Sequence, residues 1–130
     1  MTRADREAYY VMLSESLTRK ARTDLLSFTE ATMPNFDPAE FHRRYYARLT
    51  DFARGDIDRL MVFVPPQHGK SEGSTRRLPA FVLGQNPDVK IAIVSYSATK
   101  ARKFNREIQR IIDTEEYRRI FPATSLNSTN

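Results

Sequence analysis

Apolar residues along the chain change their spacing several times, and each change predicts an element. Over residues 4–32, Tyr9, Met12, Leu13 and Leu17 recur at three- and four-residue steps, and Leu25, Leu26 and Phe28 continue the pattern. That period puts them on one face of a helix. The pattern leaves one helix or two open, with Ser14 or Ser16 as caps of a second, and Pro34 ends the run. The next start is sharper. Asp37 suits a cap, Pro38 the first helical position, and Glu40 follows Asp37 by three residues. Phe41, Tyr45, Leu49 and Phe52 then form an apolar stripe, and Gly55 suits the stop.

Beyond residue 56 the apolar runs become continuous. Residues 60–64 and the β-branched "VKIAIVSY" at 89–96 have the length of buried strands. Between them, residues 71–84 read as a helix that Pro79 should disturb or kink, and "GQNPD" reads as a turn. Ser97 is placed to cap a helix whose Ala101, Phe104, Ile108, Ile111 and Ile112 share one side. "EEYRRIF" adds a helical turn that Pro122 closes.

Helices followed by strand–loop–helix–strand–helix predict an α/β fold: the start of a parallel sheet with flanking helices, after an N-terminal helical segment. The expected division is a helical segment at 1–55, the first part of a nucleotide-binding domain at 56–122, and a polar tail at 123–130. Two strands do not make a stable parallel sheet. The sequence is therefore expected to be the beginning of a longer protein.

Composition narrows the chemistry. The chain has no cysteine, which excludes disulfides and thiolate metal sites, and its two histidines, His42 and His68, exclude a histidine-rich metal site. No apolar stretch has the length of a membrane span, and the opening "MTRADREAYY" is too charged for a signal peptide, so a soluble cytoplasmic protein is expected. A net charge of +5, mostly from arginine, favours polyanionic partners.

The candidate chemistry lies in "PPQHGKSE", residues 65–72. Gly69-Lys70-Ser71 ends like a phosphate-binding loop, between an apolar run and a helix. The glycine that usually opens such a loop is replaced by Val64, and Pro65 and Pro66 follow. A polyphosphate needs positive potential and donors that require no reorganisation, and backbone N–H groups at a helix start supply both. Gly69 lets the backbone approach closely, Lys70 suits the β- and γ-phosphate oxygens, and the Ser71 hydroxyl suits Mg²⁺. The prolines fix φ for the turn but remove two donors, so Gln67, His68 and Gly69 must supply more of the contacts. His68 has no neighbouring ligands in sequence and reads as a hydrogen-bond donor or turn-shaping residue. Glu72 reads either as a base for water or as a carboxylate favoured by the first helical turn. Arg102, Arg106 and Arg110 recur every four residues. They suit DNA, a neighbouring subunit's nucleotide, or a solvated face with Glu107 among them, and Arg76 and Arg77 are equally open. Phe41, Tyr45 and Phe52 suit core packing before an adenine pocket near Phe36.

The stretch "PPQHGKSEGSTRRLPAFVLGQNPDVKIAIVSYS" resembles the start of the ATPase domain of tailed-phage terminase large subunits, the motors that package DNA into capsids. One branch of that family carries a loop of this Pro-Pro-x-His-Gly-Lys-Ser-Glu type. "FHRRYYARLTDFARGDIDRLMVFV" is similar to the helix and strand before the loop, and "SYSATKARKFNREIQRIIDTEEYRRIFP" to the segment after the second strand. The likeness covers residues 28–122. It implies ATP and Mg²⁺ as cofactors, with Lys70 as the catalytic phosphate lysine and Ser71 as the Mg²⁺ ligand. Pro66, Gln67, His68, Gly69 and Glu72 would complete the ATP-binding set. Gln67 stands where relatives often have arginine, so that task would fall to another residue.

The reaction implied is ATP hydrolysis coupled to movement of double-stranded DNA. The partners implied are a portal, a small terminase subunit and like subunits in a ring, in the cytoplasm of an infected or lysogenic bacterial host. The family also uses an acidic Walker B strand and a nuclease half. Neither is present here, so this chain is expected to bind nucleotide with little turnover. The rival readings are another P-loop enzyme, such as a helicase-like ATPase or a small-molecule kinase, and a non-catalytic basic domain that binds nucleic acid or partner helices.

Overall fold

The computed structural model describes residues 1–127. Among them the regular structure is entirely helical: α1 (Arg3–Ala21), α2 (Leu25–Thr32), α3 (Glu40–Arg54), a π-helical segment π1 (Glu72–Arg77) running directly into α4 (Leu78–Gln85), α5 (Ala98–Ile112) and α6 (Glu115–Ile120). Residues 128–130 of the expected polar tail lie outside the described residues.

The expected parallel sheet is not formed, and this corrects the α/β expectation. Residues 60–64 and 89–96 form neither helix nor strand and carry no ladder: among the described residues no backbone hydrogen bond joins either segment to a distant one. Leu60, Val62 and Ile93 lean on the helical core. Their sequence neighbours face outward, with Met61 79%, Phe63 86% and Val94 91% exposed. An apolar run thus specifies a surface to be covered on one side, whereas a strand also needs a partner edge at hydrogen-bonding distance.

The helical expectation for residues 4–32 resolves into two helices. The break falls at residues 22–24, where the Asp24 carboxylate caps α2 by accepting from the Ser27 N–H (3.0 Å), so neither Ser14 nor Ser16 is the cap. Tyr9, Met12, Leu13 and Leu17 of α1 are exposed instead of buried. Their periodicity is diluted by Tyr10 and Val11, so no single polar face remains to oppose them. Helix α3 begins at Glu40 with Ala39 at the cap position, two residues later than the Asp37 cap predicts. The His42 imidazole explains the shift: its Nδ1 accepts the Ala39 N–H (3.0 Å). Tyr45 and Leu49 of its stripe are buried, while Phe41 and Phe52 stay partly in solvent. Gly55 ends α3 with φ 84°, and the Asp56 N–H closes back on the Asp51 carbonyl.

Pro79 does not break its helix, because the preceding turn is wide. The Leu78 N–H reaches back five residues to the Gly73 carbonyl, which loosens the backbone where the proline ring would otherwise meet a carbonyl of the turn before it. Gly73 is buried in π1 and lets it lie directly on Tyr45, Tyr46 and Leu49 of α3.

The core joins both ends of the chain. Phe28 of α2 contacts the rings of Phe81, Tyr117 and Phe121 at centroid distances of 5.6–5.9 Å. Ala21, Leu25, Tyr46, Leu49, Ala80, Ile108 and Ile112 pack around them. The Tyr117 hydroxyl donates to the Ala80 carbonyl (2.7 Å). Burial raises the pKa of the Tyr117 phenol and pushes that of Tyr46 up to about 12. Above pH 10 the unfolded chain gives up phenol protons that the folded state retains, so folding stability is expected to fall as pH rises from 10 towards 12. Urea titrations across that range should show the loss, and Tyr46→Phe should reduce it.

Candidate functional site

Two left-handed residues build the loop after residue 64. Gln67 has φ 63° and Gly69 φ 76°, so the chain curls between the Pro65–Pro66 entry and the helical turn that starts at Lys70. The Gly73 N–H closes that turn on the Gly69 carbonyl (3.2 Å). The Lys70 carbonyl is held twice, by the hydroxyls of Tyr45 and Ser74, each at 2.8 Å. Tyr45 thereby ties the loop to α3.

What remains free is the donor set. The amides of Gln67, Gly69, Lys70 and Ser71 have no hydrogen-bond acceptor among the described residues. The Lys70 ammonium makes no ion pair among them, and the Ser71 hydroxyl makes no hydrogen bond. These groups border a cavity of about 390 Å³ lined by Val64, Pro65, Pro66, Gln67, Gly69, Lys70, Ser71, Glu72 and Arg76. A curl of unpaired amides at the start of a helical run is the arrangement of donors that an anion would require, and the ammonium adds full positive charge to it.

Of the residues expected to bind ATP, Pro66, Gln67, Gly69, Lys70, Ser71 and Glu72 share this wall, and His68 does not line it. Its Nδ1–H donates to the Pro66 carbonyl (2.8 Å), and its ring meets Phe41 at 5.7 Å. It therefore fixes the turn. Glu72 is committed elsewhere. One of its oxygens accepts from Arg76 (3.2 Å) and the other from Arg77 (2.7 Å), which leaves it poorly placed to take a proton from water.

Three neighbours of the loop carry weaker signals in the sequence. Arg76 lines the cavity, bridges Glu72 and Glu107 (2.6 Å to the latter), and lies over the Phe104 ring at 5.1 Å. Its spacing from Lys70 in an uninterrupted helical stretch is the only hint available beforehand. Tyr45 reads as core, yet its hydroxyl supports the loop. His42 is assigned no role by its sequence, yet its Nε2 would lie 3.4 Å from a Cβ built on Gly69. Because His42 Nδ1 accepts a backbone N–H, the proton of the neutral ring sits on that Nε2. Of the proposed adenine-pocket rings, Phe41 stacks on His42 at 3.9 Å and Tyr45 is largely buried, while Phe52 sits in the last turn of α3.

A second cavity of about 490 Å³ adjoins the first. It shares Ser71 and Arg76 and adds Tyr96, Ser97, Thr99, Lys100, Lys103 and Phe104. The start of α5, capped by the Ser97 hydroxyl on the Lys100 N–H (3.4 Å), thus comes beside the loop. Among the described residues no cluster of three or more His, Asp or Glu side chains could hold a metal, and no helix is long and apolar enough to cross a membrane.

Comparison of the chain with protein families, with characterised proteins and with solved structures finds no match.

Proposed function

We propose that residues 65–71 bind the triphosphate of Mg-ATP, and that this chain is the nucleotide-binding part of an ATPase that moves double-stranded DNA, like the terminase large subunits it resembles. The observation that carries the binding reading is the set of amides at Gln67, Gly69, Lys70 and Ser71, unpaired among the described residues, on the wall of a cavity that also holds the Lys70 side chain, which makes no ion pair among them. Lys70 neutralises the outer phosphates, the amides hold the oxygens between them, and Gly69 keeps the approach open. The free Ser71 hydroxyl suits Mg²⁺, which takes few protein oxygens and completes its shell with phosphate oxygens and water. Bound Mg²⁺ supplies charge neutralisation for the γ-phosphoryl group. Arg76 is the residue best placed to take on the task of the arginine replaced by Gln67. The carboxylate that would orient the attacking water is not assigned to Glu72, whose oxygens already accept from two guanidiniums. On this reading the protein works in the cytoplasm of a bacterial host, in a ring with a portal and a small subunit.

Thermal melting with and without nucleotide tests the site. Mg-ATP at a hundredfold excess over its dissociation constant should stabilise the chain by about 2.7 kcal/mol. Lys70→Ala removes a charge-assisted contact worth about 1.5–3 kcal/mol, so most of the stabilisation should disappear while the melting temperature without nucleotide stays the same. An equal response to AMP, or an unaltered response in Lys70→Ala, would sink the reading.

A further inference from the structure

Helix α5 carries Lys100, Arg102, Lys103, Arg106 and Arg110 against a single carboxylate, Glu107. That surplus of four is most of the chain's net +5. The carboxylate does not neutralise the row, because it pairs with Arg76 of π1 at 2.6 Å and reaches only Lys103, at 4.0 Å. Asp113, just past the helix end, is taken by Arg118 (2.5 Å). Arg102, Arg106 and Arg110 are exposed and have no acidic partner among the described residues. Phe104, Ile108, Ile111 and Ile112 are buried on the opposite side, so the helix cannot turn to hide the charges.

We propose that this outer face of α5 docks the phosphate backbone of double-helical DNA. The occupant follows from charge and shape. From Arg102 to Arg110 the helix rises about 12 Å, and a duplex strand places one phosphate per about 3.4 Å of its axis, so the row spans three or four phosphates. Along Arg102, Arg106, Gln109 and Arg110 there is no aromatic ring for unstacked bases; the exposed Tyr96 ring lies before the helix and faces the Lys100 ammonium at 5.1 Å, so the row offers no succession of stacking platforms, which disfavours a single strand. The contacts are to the backbone and carry no sequence preference. This surface deepens the DNA-motor reading above, and it is coupled to the loop: Glu107 on its flank grips Arg76, which lines the phosphate cavity.

The test is fluorescence anisotropy of a labelled mixed-sequence duplex against the whole chain over a series of salt concentrations. Four cations, counting Lys103, predict a slope of log K against log salt near −3.6. The triple variant Arg102→Gln, Arg106→Gln, Arg110→Gln should bring it to about −1, whereas the triple Arg→Lys variant should keep it. All three positions are exposed, and unchanged melting curves verify that the variants fold. An unchanged slope in the glutamine variant, tighter binding of a single strand of equal length, or equal binding of polyglutamic acid would overturn the proposal. A chain that binds the duplex as predicted but fails to respond to Mg-ATP sinks the nucleotide site alone. The opposite result sinks this surface alone.

Discussion

Phe28→Ala is expected to remove much of the chain's stability. Phe28 is fully buried and contacts Phe81, Tyr117 and Phe121, so it touches the rings that join α2 to α4, α6 and the segment after α6. Truncating a buried phenylalanine to alanine costs about 3–5 kcal/mol, through lost transfer energy and the cavity left behind. Domains of this size hold about 5–15 kcal/mol in total. The melting temperature should drop by about 10 °C or more, and chemical denaturation should show a lower midpoint with an unchanged slope. A loss under about 1 kcal/mol would mean that these elements do not share one core.

Gly73→Ala should couple a stability loss to a loss of the nucleotide response. Alanine is the better helix former by up to about 1 kcal/mol, so the exchange would help in an open helix. Here the new Cβ would sit 2.8 Å from Tyr45 Cε1, 3.2 Å from Tyr46 Cζ and 3.3 Å from Leu49 Cδ1. Tyr45 cannot simply retreat, because its hydroxyl holds the Lys70 carbonyl. Overpacking of this kind costs about 1–3 kcal/mol, which outweighs the propensity gain. The relief route moves Tyr45 and with it the loop, so the stabilisation by Mg-ATP should weaken in the same variant. Tyr45→Phe separates the two effects: it keeps the ring, drops the bond to Lys70, and should lower the nucleotide response with little clash. A Gly73→Ala chain as stable and as responsive as the parent would show that π1 is not seated on α3 in this way.

Local chemistry was legible wherever a residue acts on its own neighbours. Gly55 as a left-handed stop, Ser97 as the cap of α5, the buried Phe104–Ile108–Ile112 side, and Gly69-Lys70-Ser71 at the mouth of a helical run can all be read from spacing. What fails is everything decided by a distant partner. The runs at 60–64 and 89–96 look like strands because their composition suits burial, yet nothing in a run of apolar residues states that another edge lies beside it. The stripe of α1 has helical period, but α2 and α6 cover it only in part and leave Tyr9, Met12, Leu13 and Leu17 exposed. Asp37 is a good cap residue that lost to the His42 ring, a contact of histidine with backbone that capping preferences do not include. Glu107 reads as screening the arginines around it, whereas folding brings Arg76 from another element to occupy it.

Two irregularities in the segment after the loop depend on each other. A proline inside a helix and a turn one residue too wide are each unfavourable alone, and here one accommodates the other. The wide turn also lets Arg76 and Arg77, four and five residues on, both reach Glu72. Pro79 therefore acts as a wedge: replaced by alanine, it would permit the segment to tighten by one residue per turn, and the two arginines could no longer straddle the same carboxylate. Exchanges at 72–77 and at 79 should then be tolerated in combination more readily than one at a time.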